Sequence, residues 1–196
     1  AQARLSLVVP VTLAIIVLLL FLNFKRIVPV ILILGTLPLS LVGGLWLLDL
    51  LGYNMSVAVG VGFIALAGVA VEIGVIMIVY LEQALNKRRE IAIGEDRDVT
   101  LDDLREAVVE GALMRVRPIM MTVAVVIAGL LPIMLGSGTG SEVMRRIAAP
   151  MVGGMTSATV LTLLVIPAAF LIWQKIVLTR TKRIDQADPD AERSVE

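Results

Sequence analysis

The strongest constraint on this chain is a set of five apolar stretches, each long enough to cross a lipid bilayer as a helix. They cover residues 5–24, 27–48, 56–81, 119–136 and 147–173. A hydrocarbon core about 30 Å thick requires roughly 20 such residues per helix. Lipid offers no water to unpaired backbone groups, so only helices or closed barrels span it. The stretches therefore predict an all-α integral membrane protein with about five transmembrane helices.

Composition supports this prediction and excludes several kinds of site. Hydrophobic residues make up 58% of the 196 residues, against about 45–50% in soluble domains. The chain has no cysteine and no histidine, which excludes disulfides, thiolate chemistry and imidazole metal ligands. No nucleophile–base pair and no metal-ligand cluster is visible. We therefore expect neither an enzyme nor a resident cofactor, and no nucleic-acid partner.

Basic residues are concentrated on one side of the predicted membrane. Of the 17 Lys and Arg residues, only Arg4, Arg145 and Arg146 fall on the other side. The positive-inside rule makes the basic side cytoplasmic, and with it the C-terminus. The chain divides into membrane helices over 1–81, a cytoplasmic loop over 82–117, membrane helices over 118–175 and a polar tail over 176–196 that is predicted to be disordered.

The 82–117 loop carries the signals of an amphipathic helix. Thr100 and Asp103 have the spacing of a capping box, and apolar residues follow at helical spacing, namely Leu101, Leu104, Val108 and Ala112. We expect a helix over 100–113 that lies along the cytoplasmic face or packs on the bundle as a linker. The fourth membrane helix then begins near Pro118, because proline suits a first turn.

Glu72 is the most informative residue for function. It is the only ionisable residue between Asp49 and Glu82 other than tyrosine, and it lies deep in its span, where an acid costs roughly 2.5–3.5 kcal/mol. Small residues precede it at helical spacing, at Gly68, Ala65, Val61 and Ala58. Such a stripe packs helix against helix, so we expect Glu72 to face the bundle interior. It is then a proton-relay member or ion-pair partner, or else a carboxyl that fixes packing.

Two other residues are weaker candidates. Thr122 lies four residues after Pro118, where its hydroxyl can bond a neighbouring carboxylate or its own backbone. Met144 follows a glycine-rich turn over 136–140, at a polar membrane edge where an ion can enter. Methionine is usually a core residue, so a metal-ligand role and a packing role both remain open. The turn lacks the Lys-Ser/Thr ending and the preceding strand of a phosphate-binding loop.

Three stretches, 62–75, 115–122 and 138–155, occur in order along the chain. Together they resemble the resistance-nodulation-division efflux pumps, and specifically the heavy-metal branch. The resemblance covers essentially the whole chain and corresponds to the last five of twelve membrane helices. It implies the C-terminal part of a proton antiporter of the bacterial inner membrane. Such pumps are homotrimers that join a periplasmic adaptor and an outer-membrane channel. The expected contacts of this part are membrane lipid and the N-terminal part of the same pump.

The resemblance also implies roles for single residues. Glu72 falls where metal-pumping members carry an acidic relay residue, and Thr122 falls on the relay threonine. Met144 falls where copper- and silver-exporting members have a methionine of the metal path, whereas Ile119 replaces a lysine of copper-type members. Because thioethers suit soft monovalent ions, the expected cargo is Cu(I) or Ag(I). The alternatives are a pump for Zn(II), Co(II) or organic compounds and a non-transporting structural subunit.

Overall fold

The described part of the protein is a bundle of five α-helices. A computed structural model describes residues 2–187, with side chains for residue 8 and residues 10–180. The helices of this part are α1 (Gln2–Phe24), α2 (Ile27–Leu50), α3 (Val57–Gly94), α4 (Leu101–Leu135) and α5 (Ser141–Ala187). No strand occurs among the described residues, so the predicted all-α class is confirmed. By length and composition α2 to α5 can each cross a membrane, while Pro10–Phe24 of α1 is a shorter apolar helix.

Helices α2, α3 and α5 form the centre of the bundle, and glycines bring their backbones into contact. A Cβ added to Gly153 of α5 would lie only 2.5 Å from the Gly43 carbonyl oxygen of α2. A Cβ on Gly62 of α3 would collide with the Ile147 carbonyl of α5. Small residues permit this close approach in membrane helices. We call Gly43, Gly62 and Gly153 the glycine crossing; it closes the bundle near the α2–α3 loop.

The opposite end of the bundle is formed by a hairpin of two long helices. Helix α3 continues past its apolar span to Gly94, and α4 runs unbroken through Pro118. A Cβ on Gly111 of α4 would lie 3.0 Å from the Tyr80 carbonyl oxygen, so the two helices are in close contact. We call residues 82–117 the hairpin. The bundle end that carries it, together with Arg26 and Lys175, is the basic end.

The hairpin decides between two predictions and corrects a third. Residues 100–113 are helical as expected, and they form the first part of α4 and pack along α3, as the linker alternative predicts, instead of lying separately on a membrane face. The prediction that the fourth helix begins at Pro118 is wrong. An internal proline removes only one helix hydrogen bond, and Gly111 before it and Ile119 after it are both buried, so α4 is packed on both sides of the proline.

Charged side chains fasten the hairpin on its outer surface. Lys87 donates to Glu110 at 2.7 Å, and Arg88 forms ion pairs with Glu106 at 2.7 Å and with Glu110 at 3.2 Å. These pairs join α3 to α4 across the helix contact. The hydrogen bonds from Lys87 and Arg88 keep the pKa of the Glu110 carboxyl below its ordinary value.

The turn of the hairpin contains the predicted capping box. The Asp103 amide donates to Thr100 Oγ1 at 3.2 Å, and the Thr100 amide donates to Asp103 Oδ2 at 2.8 Å. Arg97 adds hydrogen bonds to both carboxylate oxygens of Asp103, at 2.6 and 3.1 Å. The Arg97 guanidinium and the Thr100 groups together hold the pKa of Asp103 well below its ordinary value. This part of the prediction is confirmed.

The predicted tail over 176–196 is helical where it is described. Helix α5 continues without interruption to Ala187, so residues 176–187 are not a disordered segment. Residues 188–196 lie outside the described part. The apolar part of α5 is already helical, and adding a residue to an existing helix is far easier than nucleating a new one. The helix therefore continues into the polar residues 176–187.

Candidate functional site

Glu72 lies on the surface of α3. Its side chain is exposed, and no hydrogen bond or ion pair joins it to another described residue. Gly68, one turn earlier, is also exposed, and no atom lies within 4 Å of the position a Cβ would take there. The prediction that this stripe packs Glu72 against a neighbouring helix is therefore wrong within this chain.

The opposite face of α3 makes the contacts instead. Gly62, Leu66, Ala70 and Gly74 are buried, and Leu66 lies at the position a Cβ of Gly154 on α5 would occupy. This face also has small residues at helical spacing, so α3 carries two stripes suitable for packing. Position in the sequence alone does not tell which stripe meets α2 and α5 and which remains open.

Thr122 is exposed on α4 and bonds its own helix. Its hydroxyl donates to the Pro118 carbonyl oxygen at 3.0 Å, which is the local alternative expected for a threonine in a membrane helix. Among the described residues, no carboxylate bonds to Thr122.

Glu72 and Thr122 nevertheless lie at similar depth. Gly111 of α4 contacts Leu81 of α3, which fixes the two antiparallel helices relative to each other. Thr122 comes eleven residues after Gly111, and Glu72 comes nine residues before Leu81. At 1.5 Å per residue, the two therefore differ by about 3 Å along the helix axes. Both side chains are exposed at this depth, Glu72 on α3 and Thr122 on α4.

Ile119, in contrast, is part of the packed core. It is 3% exposed and packs in the same apolar cluster as Val123 of α4 and Ile73 and Met77 of α3. Residues 57–81 and 119–135 contain no basic side chain. The carboxyl of Glu72 therefore has no cationic partner on either of these two spans.

Met144 lies at the other end of the bundle, beside the α4–α5 loop. Its side chain is 49% exposed and borders a cavity of about 420 Å³. The rest of the lining comprises Ile133, Gly136, Ser137, Gly138, Thr139, Gly140 and Ser141. Met144 supplies the only sulfur of this lining, and the described residues contain no cluster of three His, Cys, Asp or Glu side chains. The chain thus offers one soft ligand here.

The structure separates the candidates into two places. Glu72 lies fifteen residues into α3 from Val57, or about 22 Å along the axis from the end of the bundle where Met144 lies. Glu72 and Thr122 are exposed at a similar depth, and Met144 borders a loop. A proton site and a metal-entry site at different depths are compatible with this arrangement.

A polar cluster at the basic end was not predicted. Arg89 of α3 donates to Gln174 of α5 at 3.3 Å, and Gln174 is only 2% exposed. Glu82 lies near Arg89 and Arg26; burial raises the pKa of its carboxyl, and the two cations oppose that rise. The available signal is Gln174, a buried polar residue directly after the apolar stretch 147–173. The Arg89–Gln174 hydrogen bond joins α3 to α5 at this end.

Comparison with known proteins places the chain in a family. The sequence profile of the AcrB/AcrD/AcrF family matches residues 1–174. The chain belongs to this family. Its helices also match a crystal structure of a heavy metal efflux pump (crystal form II) with a TM-score of 0.74 and 41% identity, over 89% of this chain and 16% of that one.

Several curated proteins are similar to the chain over most of its length. The putative cation efflux system protein SilA of Salmonella typhimurium is 55% identical over 174 residues, and the cation efflux system protein CusA of Escherichia coli K12 is 52% identical over 174 residues. The cobalt-zinc-cadmium resistance protein CzcA of Cupriavidus metallidurans is 38% identical over 170 residues. These alignments cover 87–88% of the chain but only 15–16% of each relative. The chain spans about a sixth of the length of these relatives.

Proposed function

We propose that this chain is the C-terminal transmembrane part of a proton-coupled pump that exports heavy-metal cations, with Cu(I) or Ag(I) as the cargo. In this proposal the basic end faces the cytoplasm of a bacterium, and the pump lies in the inner membrane. The working unit is a homotrimer that joins a periplasmic adaptor and an outer-membrane channel. The family membership and the 55% identity to a cation efflux protein support the efflux part.

One observation carries the proton-coupling part: a single acid lies in the middle of α3 on an open face. An unpaired carboxylate exposed to lipid would cost several kcal/mol. Glu72 therefore requires either a proton or a polar partner from another part of the complete pump. A group that exchanges these two states is suited to coupling proton passage to movement of helices.

The thioether of Met144 supports the choice of metal. Sulfur donors without imidazole or thiolate favour soft monovalent ions over Zn(II) and Co(II). The sequence identities support the same choice, because the chain is more than 50% identical to SilA and CusA but only 38% identical to the cobalt-zinc-cadmium protein. A single sulfur does not complete a metal site, so further ligands come from elsewhere in the full pump.

The role of Glu72 is tested by Glu72→Gln in the full-length pump. We expect the variant to insert and assemble normally, and to lose tolerance to copper and silver salts together with metal-driven proton flux in proteoliposomes. Glu90→Gln is the matched control, because Glu90 is an exposed acid on the same helix beyond the apolar span. Full metal tolerance of Glu72→Gln would contradict the relay. Lower stability with unchanged proton flux would favour the structural-subunit alternative.

The metal is tested by Met144→Leu, which keeps the volume and removes the sulfur. We expect reduced tolerance to Cu(I) and Ag(I) and unchanged insertion. Met114→Leu is the control, because Met114 is similarly exposed (53% against 49%) but lies in the hairpin. Unchanged copper and silver tolerance in Met144→Leu would favour a pump for Zn(II), Co(II) or organic compounds.

A further inference from the structure

Thr162 differs from the other described threonines within the helices. Its side chain is completely buried, and its hydroxyl has no hydrogen-bond partner. Thr12, Thr122, Thr156, Thr159 and Thr179 each donate to the carbonyl four residues earlier, and Thr36 donates to the one three residues earlier. A buried hydroxyl without a partner is unfavourable. Thr162 therefore requires a polar partner that its own helix does not supply.

Thr36 of α2 lies at the same depth as Thr162. The Ser157 hydroxyl of α5 donates to the Ser40 carbonyl of α2 at 3.4 Å, which fixes these antiparallel helices relative to each other. Thr36 comes four residues before Ser40, and Thr162 comes five residues after Ser157. Their depths therefore agree to within about 2 Å. Thr36 is 3% exposed, and its hydroxyl oxygen still has lone pairs that can accept a hydrogen bond.

Gly74 of α3 leaves space beside these two helices. A Cβ added there would lie 3.5 Å from Ile33 Cγ2, 3.6 Å from Ile166 Cδ1 and 3.6 Å from Thr36 Oγ1. These are ordinary contact distances, so the buried interface has room for a group the size of a methyl. Ile166 is one turn after Thr162 on α5 and lies on the same buried face.

Pro167 provides a further acceptor close by. Proline has no amide hydrogen, so the Leu163 carbonyl lacks its usual helix donor. Freed carbonyls at prolines in membrane helices are satisfied by neighbouring side chains or by ordered water. Pro167 itself is buried. Helix α5 thus carries, on adjacent residues, a hydroxyl without a partner and a carbonyl without its usual amide donor.

We propose that α2, α3 and α5 enclose one bound water molecule beside Gly74, with the Thr162 hydroxyl as donor and the Thr36 hydroxyl and the Leu163 carbonyl as acceptors. Three partners are typical of a buried water. The ligand is neutral, because all of these groups are neutral. The site is distinct from Glu72, which lies two residues before Gly74 and therefore about 200° around the helix.

Hydroxyl-radical footprinting of the full-length pump in nanodiscs tests this proposal, because ionised bound water labels side chains beside it. We expect Ile166, which is 1% exposed, to be labelled clearly above Phe170, which is 0% exposed and more reactive towards radicals. Gly74→Ala fills the space and should reduce Ile166 labelling to the Phe170 level. Gly60→Ala is the control for the glycine change, because Gly60 has no atom within 4 Å of its added Cβ.

The hydroxyl is tested separately by Thr162→Val, which preserves the shape. This variant should lose the labelling of Ile166, whereas Thr159→Val should keep it, because the Thr159 hydroxyl already donates to Met155. Equal labelling of Ile166 and Phe170 in the unmodified pump overturns the proposal. An unchanged Ile166 signal in Gly74→Ala also overturns it. This test remains available if Thr162→Val does not fold, because the added Cβ of Gly74→Ala fits without collision.

Discussion

The glycine crossing and the hairpin hold α3 at its two ends by different forces. At the crossing, the backbones of α2, α3 and α5 touch because Gly43, Gly62 and Gly153 have no side chains. At the hairpin, ion pairs and a capping box join α3 to α4. Between the two, Glu72 lies on a face that no described residue covers. The opposite face of α3 is buried along the same length, so only the face that bears Glu72 is left available to another part of the proposed pump.

The largest expected effect comes from Gly153→Ala in the proposed full-length pump. The new Cβ would lie 2.5 Å from the Gly43 carbonyl and 2.6 Å from Leu47 Cβ. Overpacking of this kind costs about 3 kcal/mol, which should lower the thermal unfolding temperature and the yield of assembled pump. Gly35→Ala on α2 is the control, since no atom lies within 4 Å of its Cβ. Equal stability of the two variants would show that the crossing is not closely packed.

Acid should weaken the hairpin and spare the crossing. The pKa values of Asp103 and Glu110 are depressed in the folded state from ordinary values of 3.8 and 4.5. Their stabilisation is therefore complete above those ordinary values and is lost as the pH falls below them. Amide hydrogen exchange, corrected for intrinsic rates, should show protection of the hairpin falling below about pH 4.5. An equal loss of protection around Gly153 would remove the distinction between the two regions.

A smaller local effect is expected from Thr100→Ala. Loss of an N-cap side chain costs about 1 kcal/mol, so exchange at the start of α4 should accelerate about fivefold. Thr179→Ala is the control, because the Thr179 hydroxyl bonds only within α5. Exchange around the glycine crossing should not change. If α4 is equally protected in both variants, the cap does not stabilise the hairpin.

The smallest effect is expected from Glu110→Gln. Ion pairs near a protein surface contribute little, so hairpin exchange should accelerate only about twofold. Raising the salt to about 0.5 M should produce a similar change in the unmodified pump, because salt screens such pairs. Glu90→Gln is the control for an exposed acid on the same hairpin, with no ion pair among the described residues. The loss of stability in Gly153→Ala, by contrast, should not depend on the salt concentration.

Local features of this fold were predictable from sequence. Apolar length indicated the spans, and the spacing of Thr100 and Asp103 indicated the cap, because both depend on neighbouring residues. The passage of α4 through Pro118 was not predicted, since it depends on the packing of Gly111 and Ile119 against α3 on either side of the proline. The prediction of a disordered tail was wrong for residues 176–187 because it used only their polar composition. A helix that is already formed in the apolar part of α5 extends easily into such residues.

The candidate site was predictable only in part. Sequence gives the depth of Glu72 and the separation of Met144 from it, because both follow from helix length. It does not give the open side of α3, because two stripes of small residues compete and the closed one is set by contacts with Ile147 and Gly154 of α5. The exposed Glu72 surface follows from that choice. A partner for the carboxyl has to come from outside the described chain.

The unbroken passage of α4 through Pro118 has a mechanical consequence. Before the proline, α4 is clamped to α3; after it, only Ile119 and Val123 are buried. The membrane half of α4 is therefore less firmly held than the first half, and its other core contacts come from partly buried residues such as Val126 and Ile127. If this half swung by about 10° about a point close to Thr122, Leu135 would move by about 3 Å, while Thr122 would barely move. Small shifts beside Glu72 would thus be magnified at the loop that borders Met144.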